Sequence, residues 1–536
     1  KYRSLDGTCN NLYRPLIGRA FTPFSRFLTP QYGDGVQSLR LSRDGSPLPE
    51  ARRVSFSIAE SKSVPHHVNT LMLMQWGQFL DHDLTLTAIS KIATDPTCAP
   101  IKIPSDDPSF FGKQCLEFVR SQEVPNLNCT LGPREQLNQI TSYIDASNVY
   151  GSTVEDANGL RDLSNPRRGK LLQSVHPQND KLKKLLPTTK ENAECNKHEP
   201  GKTCFHAGDE RVNEQSALTV LHTVWLREHN RIEQELFKMN PHWNGKTLFE
   251  ETRRIVGAMM QHVTFNEFLP IVLGTKSMER HGLNLLQQGF YSGYRNDVDP
   301  SIRNSFATAA FRFGHTLIPK SFDRFNESWS TNSYPSLDLS TMFFQPQHAF
   351  DTKADGVDGM ARGLCDQNIE SFDRFVVPQV TVHLFSQSPP NGLGTDLVAL
   401  NIQRARDHGI PGYNHWRQWC GLSRAADFDS LVDIADPAVR SKLRRVYRHV
   451  DDIDLFAAGI SERPVEGGLV GPTFACIIGE QFKNLRQGDR FWYENTGAFS
   501  FSTEQLQELR KVTLAKVLCN NSDNISTIQP KVMERP

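Results

Sequence analysis

Residues 216–239, SALTVLHTVWLREHNRIEQELFKM, constrain the fold more than any other stretch. Their large apolar side chains, Leu218, Leu221, Trp225, Ile232 and Leu236, recur mainly three, four or seven positions apart. Such spacing places them on one face of a helix. Residues 247–273 and 504–519 also read as helices, and strand-like alternation is rare. The expected fold class is mainly α with little β-structure. No internal repeat, low-complexity tract or long Gly/Ser linker divides the 536 residues. One large helical domain over 1–536 is therefore predicted. Polar, proline-bearing stretches near 100–135, 175–205 and 320–360 read as long loops on that body.

Lys+Arg and Asp+Glu both total 60. That balance argues against a nucleic-acid binder relying on a global basic field. No apolar run approaches the roughly 20 residues needed to span a bilayer. The opening KYRSLDGTCN is not a signal peptide, so a leader would have to be missing from this sequence. The 10 cysteines are scattered from Cys9 to Cys519 without a CxxC pair, which disfavours a zinc ribbon. Sequons at Asn128, Asn326, Asn520 and Asn524, together with the cysteines, lean towards a secreted, disulfide-bonded glycoprotein.

Five stretches carry candidate chemistry. In QWGQFLDHDL, 75–84, a histidine stands between two aspartates. Pro65 could open a helix through this stretch, putting Gln78 and His82 on one face. Asp81 and Asp83 would then project about 100° to either side of His82. In RVNEQ, 211–215, Arg211 and Glu214 share the face of a helical turn. FRFGHTL, 311–317, sets His315 three residues after Arg312. In TSYIDAS, 141–147, Thr141, Tyr143, Asp145 and Ser147 alternate, and an extended loop would aim their oxygens to one side, as a hard cation prefers. LNIQRARDHG, 400–409, holds Asn401, Arg404 and Arg406. Each stretch alone also fits a bland role: a solvated helix end, a surface ion pair, a core histidine. DTKADGVDG, 351–359, mimics an EF-hand but has Arg362 at the acidic twelfth position, so it reads as a loop.

In this order, and with DGTCNN, REQLNQITSYIDASNVYGS, LREHNRI, RARDHGIPGYN and GDRFWYEN, these stretches resemble the animal haem peroxidases along nearly the whole chain. The pattern is similar above all to the peroxidasin and peroxinectin branch, and also to myeloperoxidase and lactoperoxidase. The resemblance implies a secreted enzyme that reduces hydrogen peroxide and oxidises small donors through an oxoferryl haem. It implies haem b, ester-linked through Asp81 and Glu214, with His315 as the iron ligand and Asn401 as the partner that offers His315 a carbonyl acceptor. His82 would be the distal base, Arg211 the distal arginine and Gln78 a residue ordering water or halide, with Arg312 and Arg404 near the propionates. One calcium ion would be held by Asp83, Thr141, Tyr143, Asp145 and Ser147.

The same resemblance implies disulfides Cys98–Cys115, Cys195–Cys204 and Cys420–Cys476. Cys9 and Cys519 match cysteines whose usual partners lie outside this sequence, and Cys129 and Cys365 have no evident local partner. Gln215 stands where myeloperoxidase has a methionine bonded to the haem as a sulfonium. Without that cation beside the ring, chloride should be a poor donor, and phenols, tyrosine, bromide, iodide or thiocyanate better ones. Thr85 and Leu86 also depart from the myeloperoxidase pattern. The alternative from another class is a peroxinectin-like adhesion or matrix protein that uses the peroxidase body as a scaffold for a matrix or cell-surface partner. No RGD or KGD tripeptide is present, and a scaffold has no chemical need for the full set of site residues.

Overall fold

The computed structural model describes residues 1–89, 99–124, 132–190, 195, 203–330 and 333–535. Helices dominate, and the described strands are two to six residues long. Among them are α1 (Ala51–Ile58), α2 (Leu71–Leu84), α3 (Ser216–Met239), α4 (Gly245–Val263), α5 (Leu269–Arg280), α6 (Gly356–Asp366), α7 (Leu397–Asp407) and α8 (Pro472–Gln487). A contiguous apolar core runs from Phe24 to Met533. No described helix is long and apolar enough to cross a membrane.

The 24-residue pattern at 216–239 forms α3 over the expected span. Its start is set by Gln215, whose side-chain oxygen accepts from the Ala217 N–H and satisfies an exposed helix-end donor. Every residue from Ser216 to Asn230 is buried. α3 is thus surrounded by protein over its first turns and amphipathic only near its end. α2 packs against it, with Trp76 and Phe79 meeting Trp225 at ring separations of 5.9 and 6.4 Å.

Three helix expectations change. Pro65 does not open a helix: Pro65–Thr70 is a strand paired antiparallel with Asn368–Glu370, and α2 begins only at Leu71. The cause is nonlocal, since Thr70 Oγ1 and Asn69 Nδ2 also bond to the carbonyls of Val532 and Met533. The 247–273 pattern forms α4, then a π-helical turn at Thr264–Phe268, then α5. α5 breaks at Gly274 (φ 72°), where a Cβ would lie 2.6 Å from the Glu466 carbonyl oxygen. The 504–519 pattern splits into Thr503–Leu509 and Leu514–Asn521, because the Thr513 side chain accepts from the Lys516 N–H and caps a new start.

Two expected disulfides are present, Cys195–Cys204 and Cys420–Cys476. Cys98 and Cys129 lie outside the described residues. At 351–359 a 3₁₀ turn leads through left-handed Asp355 into α6, and no calcium loop forms.

Much of the interior is tied by buried arginine–carboxylate pairs. Asp454, 2% exposed, accepts from Arg40, Arg406 and the Tyr447 hydroxyl. Asp454→Ala would leave two buried guanidiniums without their anion. It is expected to cost about 3–5 kcal/mol, read as a fall in the denaturation midpoint. A loss below about 1 kcal/mol would show that both arginines find other partners.

Candidate active site

α2 ends in the D-H-D sequence, and its turns send the three side chains apart. Asp81 and His82 line a cavity of about 480 Å³. Asp83 turns away, fully buried, towards the loop 141–147. The same cavity collects Gln78 from α2, Arg211 and Glu214 from the segment preceding α3, Arg312 and His315 from the 3₁₀ segment Ala310–Leu317, and Arg404 from α7. Leu73, Met74, Phe311, Phe313, Leu397 and Leu400 supply apolar walls. Asn401 stands one layer behind, against His315.

Burial dominates the electrostatics. Burial and the Arg211 charge hold His82 well below its ordinary pKa, so the ring is neutral. Burial and Arg312 bring His315 down to about 3, which leaves a neutral imidazole able to ligate a metal. Glu214 is pushed up to about 7 by burial, against the pull of Arg211. It accepts from Gln78 Nε2 at 3.0 Å. Asp81 is raised by burial and accepts from Thr85 Oγ1 at 2.9 Å. Gln215 donates to the Gln75 and Gln78 side-chain oxygens at 2.7 and 3.0 Å, so three glutamine amides form one chain along the wall.

Of the three cavity arginines, Arg312 alone lacks a carboxylate partner among the described residues. It bonds to the Ala307 carbonyl and to Asn401, and forms no ion pair among the described residues. Burial and the Arg404 charge lower its pKa to about 10. A buried cation in an apolar-walled cavity calls for an anionic ligand. A flat apolar ring bearing carboxylates, with two neutral imidazoles available to it, matches this lining, so the residues present fit haem.

Asn401 differs from expectation. Its amide nitrogen, not its carbonyl, lies 2.8 Å from His315 Nδ1, while its oxygen accepts from Arg312 at 2.6 Å. Arg312, with no carboxylate partner among the described residues, takes the Asn401 side-chain oxygen. An imidazole accepting at Nδ1 carries its proton on Nε2. Ligation through Nε2 requires the other tautomer, with Asn401 Oδ1 as acceptor, and an anion that engages Arg312 would free that oxygen.

The loop 141–147 lies against the end of α2. Thr141 Oγ1 donates to Asp145 at 2.9 Å, and Ser147 donates to Asp83 from N and Oγ at 2.6 and 2.8 Å. Left-handed Ala146 turns the chain back towards Asp83. Tyr143 sends its hydroxyl to the Ile17 carbonyl, and its backbone oxygen accepts from the Asp145 N–H at 3.0 Å. Burial and the Asp145 charge push Asp83 up to about 8. Two buried carboxylates among hydroxyl and carbonyl oxygens fit a hard divalent cation. Among the described residues no cluster of three His, Cys, Asp or Glu side chains could do so, so neutral oxygens would complete the shell.

Sequence reasoning missed Asp209. It is 2% exposed and takes Arg211 bidentately, from Nε at 2.9 Å and NH2 at 2.7 Å. Burial opposes its ionisation, yet the Arg211 charge and its hydrogen bonds bring it down to about 2. Its place two residues before Arg211 was visible, but an i,i+2 pair has meaning only once a 3₁₀ turn folds the two together.

A family model described as animal haem peroxidase matches residues 2–533. "Peroxidasin homolog" from Mus musculus is 42% identical over 99% of this chain, which spans only 37% of that protein. "Chorion peroxidase" from Drosophila melanogaster is 40% identical over 98% of this chain and 66% of its own length. Among solved structures, peroxidase A from Dictyostelium discoideum superposes with a TM-score of 0.84, 29% identity and full coverage of both chains. A fatty acid alpha-dioxygenase from Arabidopsis thaliana, 16% identical, reaches 0.80 over 99% of this chain and 83% of that one, a likeness of fold alone.

Proposed function

We propose, from the premise that this chain belongs to the animal haem peroxidase family, that it reduces hydrogen peroxide and oxidises small donors in the cavity shared by His82 and His315. The observation that carries this reading is the convergence there of two neutral imidazoles with Arg211 and the unpaired Arg312. Haem held by His315 would carry the two oxidising equivalents taken from peroxide on to the donors. Arg312 and Arg404 would meet its carboxylates. Asp81 and Glu214, both cavity-lining carboxyls, would form the esters to it.

The remaining steps belong to the protein. Neutral His82 takes a proton from the incoming peroxide and returns it to the departing oxygen. Arg211, fixed by Asp209 and by a bond to the Thr85 carbonyl at 2.8 Å, stabilises the negative charge that builds between them. Gln78 orders the small polar molecules beside the base. The apolar walls exclude bulk water.

Donor preference follows from Gln215. Glutamine has no sulfur, so no sulfonium can form at this position, where the amide instead caps α3 and bonds within the glutamine chain. Bromide, iodide, thiocyanate and phenols are the expected donors, and steady-state turnover should favour them over chloride. Efficient chloride oxidation at neutral pH would contradict this. The reading itself is tested by the absorption spectrum of protein produced with ample haem, followed by acid extraction. A Soret band that resists extraction after peroxide treatment is expected, and a colourless protein would overturn it.

Calcium held by Asp83, Asp145 and the loop oxygens would brace the helix end that aims His82. Chelation is expected to perturb the Soret band and lower activity together. An unchanged spectrum after demonstrated loss of the metal would break that coupling. The two disulfides and the exposed sequon at Asn524 support action in an oxidising, extracellular setting, where the donor could be a matrix protein's tyrosine.

A further inference from the structure

His82 presents its two ring nitrogens to different surroundings. Nδ1 is buried and makes no hydrogen bond. Since the side chain lines the cavity, Nε2 is the nitrogen on the cavity side. The acidic oxygen facing Nδ1 is Asp209 Oδ1, at 3.5 Å. Asp209 is itself held in place. It caps the 3₁₀ turn Glu210–Asn213 by accepting the Arg211 N–H at 2.9 Å, and its two oxygens grip the Arg211 guanidinium.

We propose that Asp209 is a positioning residue for His82: its carboxylate selects the tautomer with the proton on Nδ1 and so keeps Nε2 free as the base for peroxide. The proposal rests on the peroxidase reading for its consequence, though not for its geometry. A neutral imidazole has one N–H. With the proton on Nδ1, a donor faces an anionic oxygen and the lone pair faces the cavity. With the proton on Nε2, a lone pair faces a buried carboxylate with no donor between them, and the low dielectric magnifies that repulsion. The 3.5 Å separation is at the edge of hydrogen-bond range, and such contacts tighten when a cavity is filled. Asp209 would then govern both distal groups, Arg211 directly and His82 through its tautomer.

The test separates these two duties. Asp209→Asn, Arg211→Gln and the double variant are loaded with haem, and the second-order rate of cyanide binding is followed at the Soret band. Cyanide, like peroxide, must surrender a proton to the distal base. Asp209→Asn is expected to slow binding at least tenfold, both alone and in the Arg211→Gln background. If Asp209 only anchors Arg211, the second background shows no further loss and the proposal falls. Independently, long-range ¹H–¹⁵N spectra of histidine-labelled protein without haem should show His82, assigned by its disappearance in His82→Gln, as the Nδ1–H tautomer. A predominant Nε2–H form overturns the proposal even if Asp209→Asn fails to fold. Failure to bind haem would defeat the peroxidase reading while leaving the tautomer measurement decisive.

Discussion

His315→Ala is expected to yield a folded protein that fails to retain haem and has no peroxidase activity. If His315 holds the cofactor, as proposed, the cavity offers few substitutes for it. His315 sits in a 3₁₀ segment whose neighbours Phe311, Phe313 and Leu317 are all buried. Burial and Arg312 keep the imidazole neutral at every working pH, so its lone pair is available without competition from protons. The only other cavity imidazole, among the described residues, is His82, which lies beside Asp209. The measurement is the ratio of Soret to protein absorbance after gel filtration, with far-ultraviolet circular dichroism as the folding control. His315→Gly should regain haem when imidazole is supplied. A parent-like Soret ratio in His315→Ala would remove His315 as the ligand.

His82→Ala is the second large effect. Haem should be retained, yet the reaction with peroxide should slow by about 10²–10⁴-fold, the usual contribution of a positioned acid–base group. On the proposed reading the ring starts neutral, because burial and the Arg211 charge suppress its protonation. Stopped-flow rates at rising peroxide concentration give the second-order constant directly. Retention of haem distinguishes this variant from His315→Ala. A rate within about threefold of the parent would assign proton transfer to another group and demote His82 to a wall residue.

Several parts of this architecture were legible without coordinates. α3 matched its pattern because a buried central helix repeats its apolar residues over many turns, a local and redundant signal. The strand at Pro65–Thr70 was not legible. Its partners are Asn368–Glu370 and the segment near Val532, hundreds of residues away. The break between the last two helices turned on one capping threonine, which a period count does not weigh. At the site, the residue types were readable, including the loop alternation around Asp145. Asp209 was not, because an aspartate before an arginine carries no message until both meet His82.

The sequence by itself determined the helical character of the chain and, through the 100° step of a helix, that Asp81, His82 and Asp83 must serve different surroundings. It also determined that Gln215 cannot form a sulfonium. Tertiary structure alone decided which charges are compensated. Asp209 neutralises Arg211, Arg312 has no ion-pair partner among the described residues, and the Asn401 amide turns its oxygen to Arg312. The physical reason is range. Helical periodicity is set by neighbours within two turns, whereas the free energy of a buried charge depends on groups that only folding brings within a few ångströms.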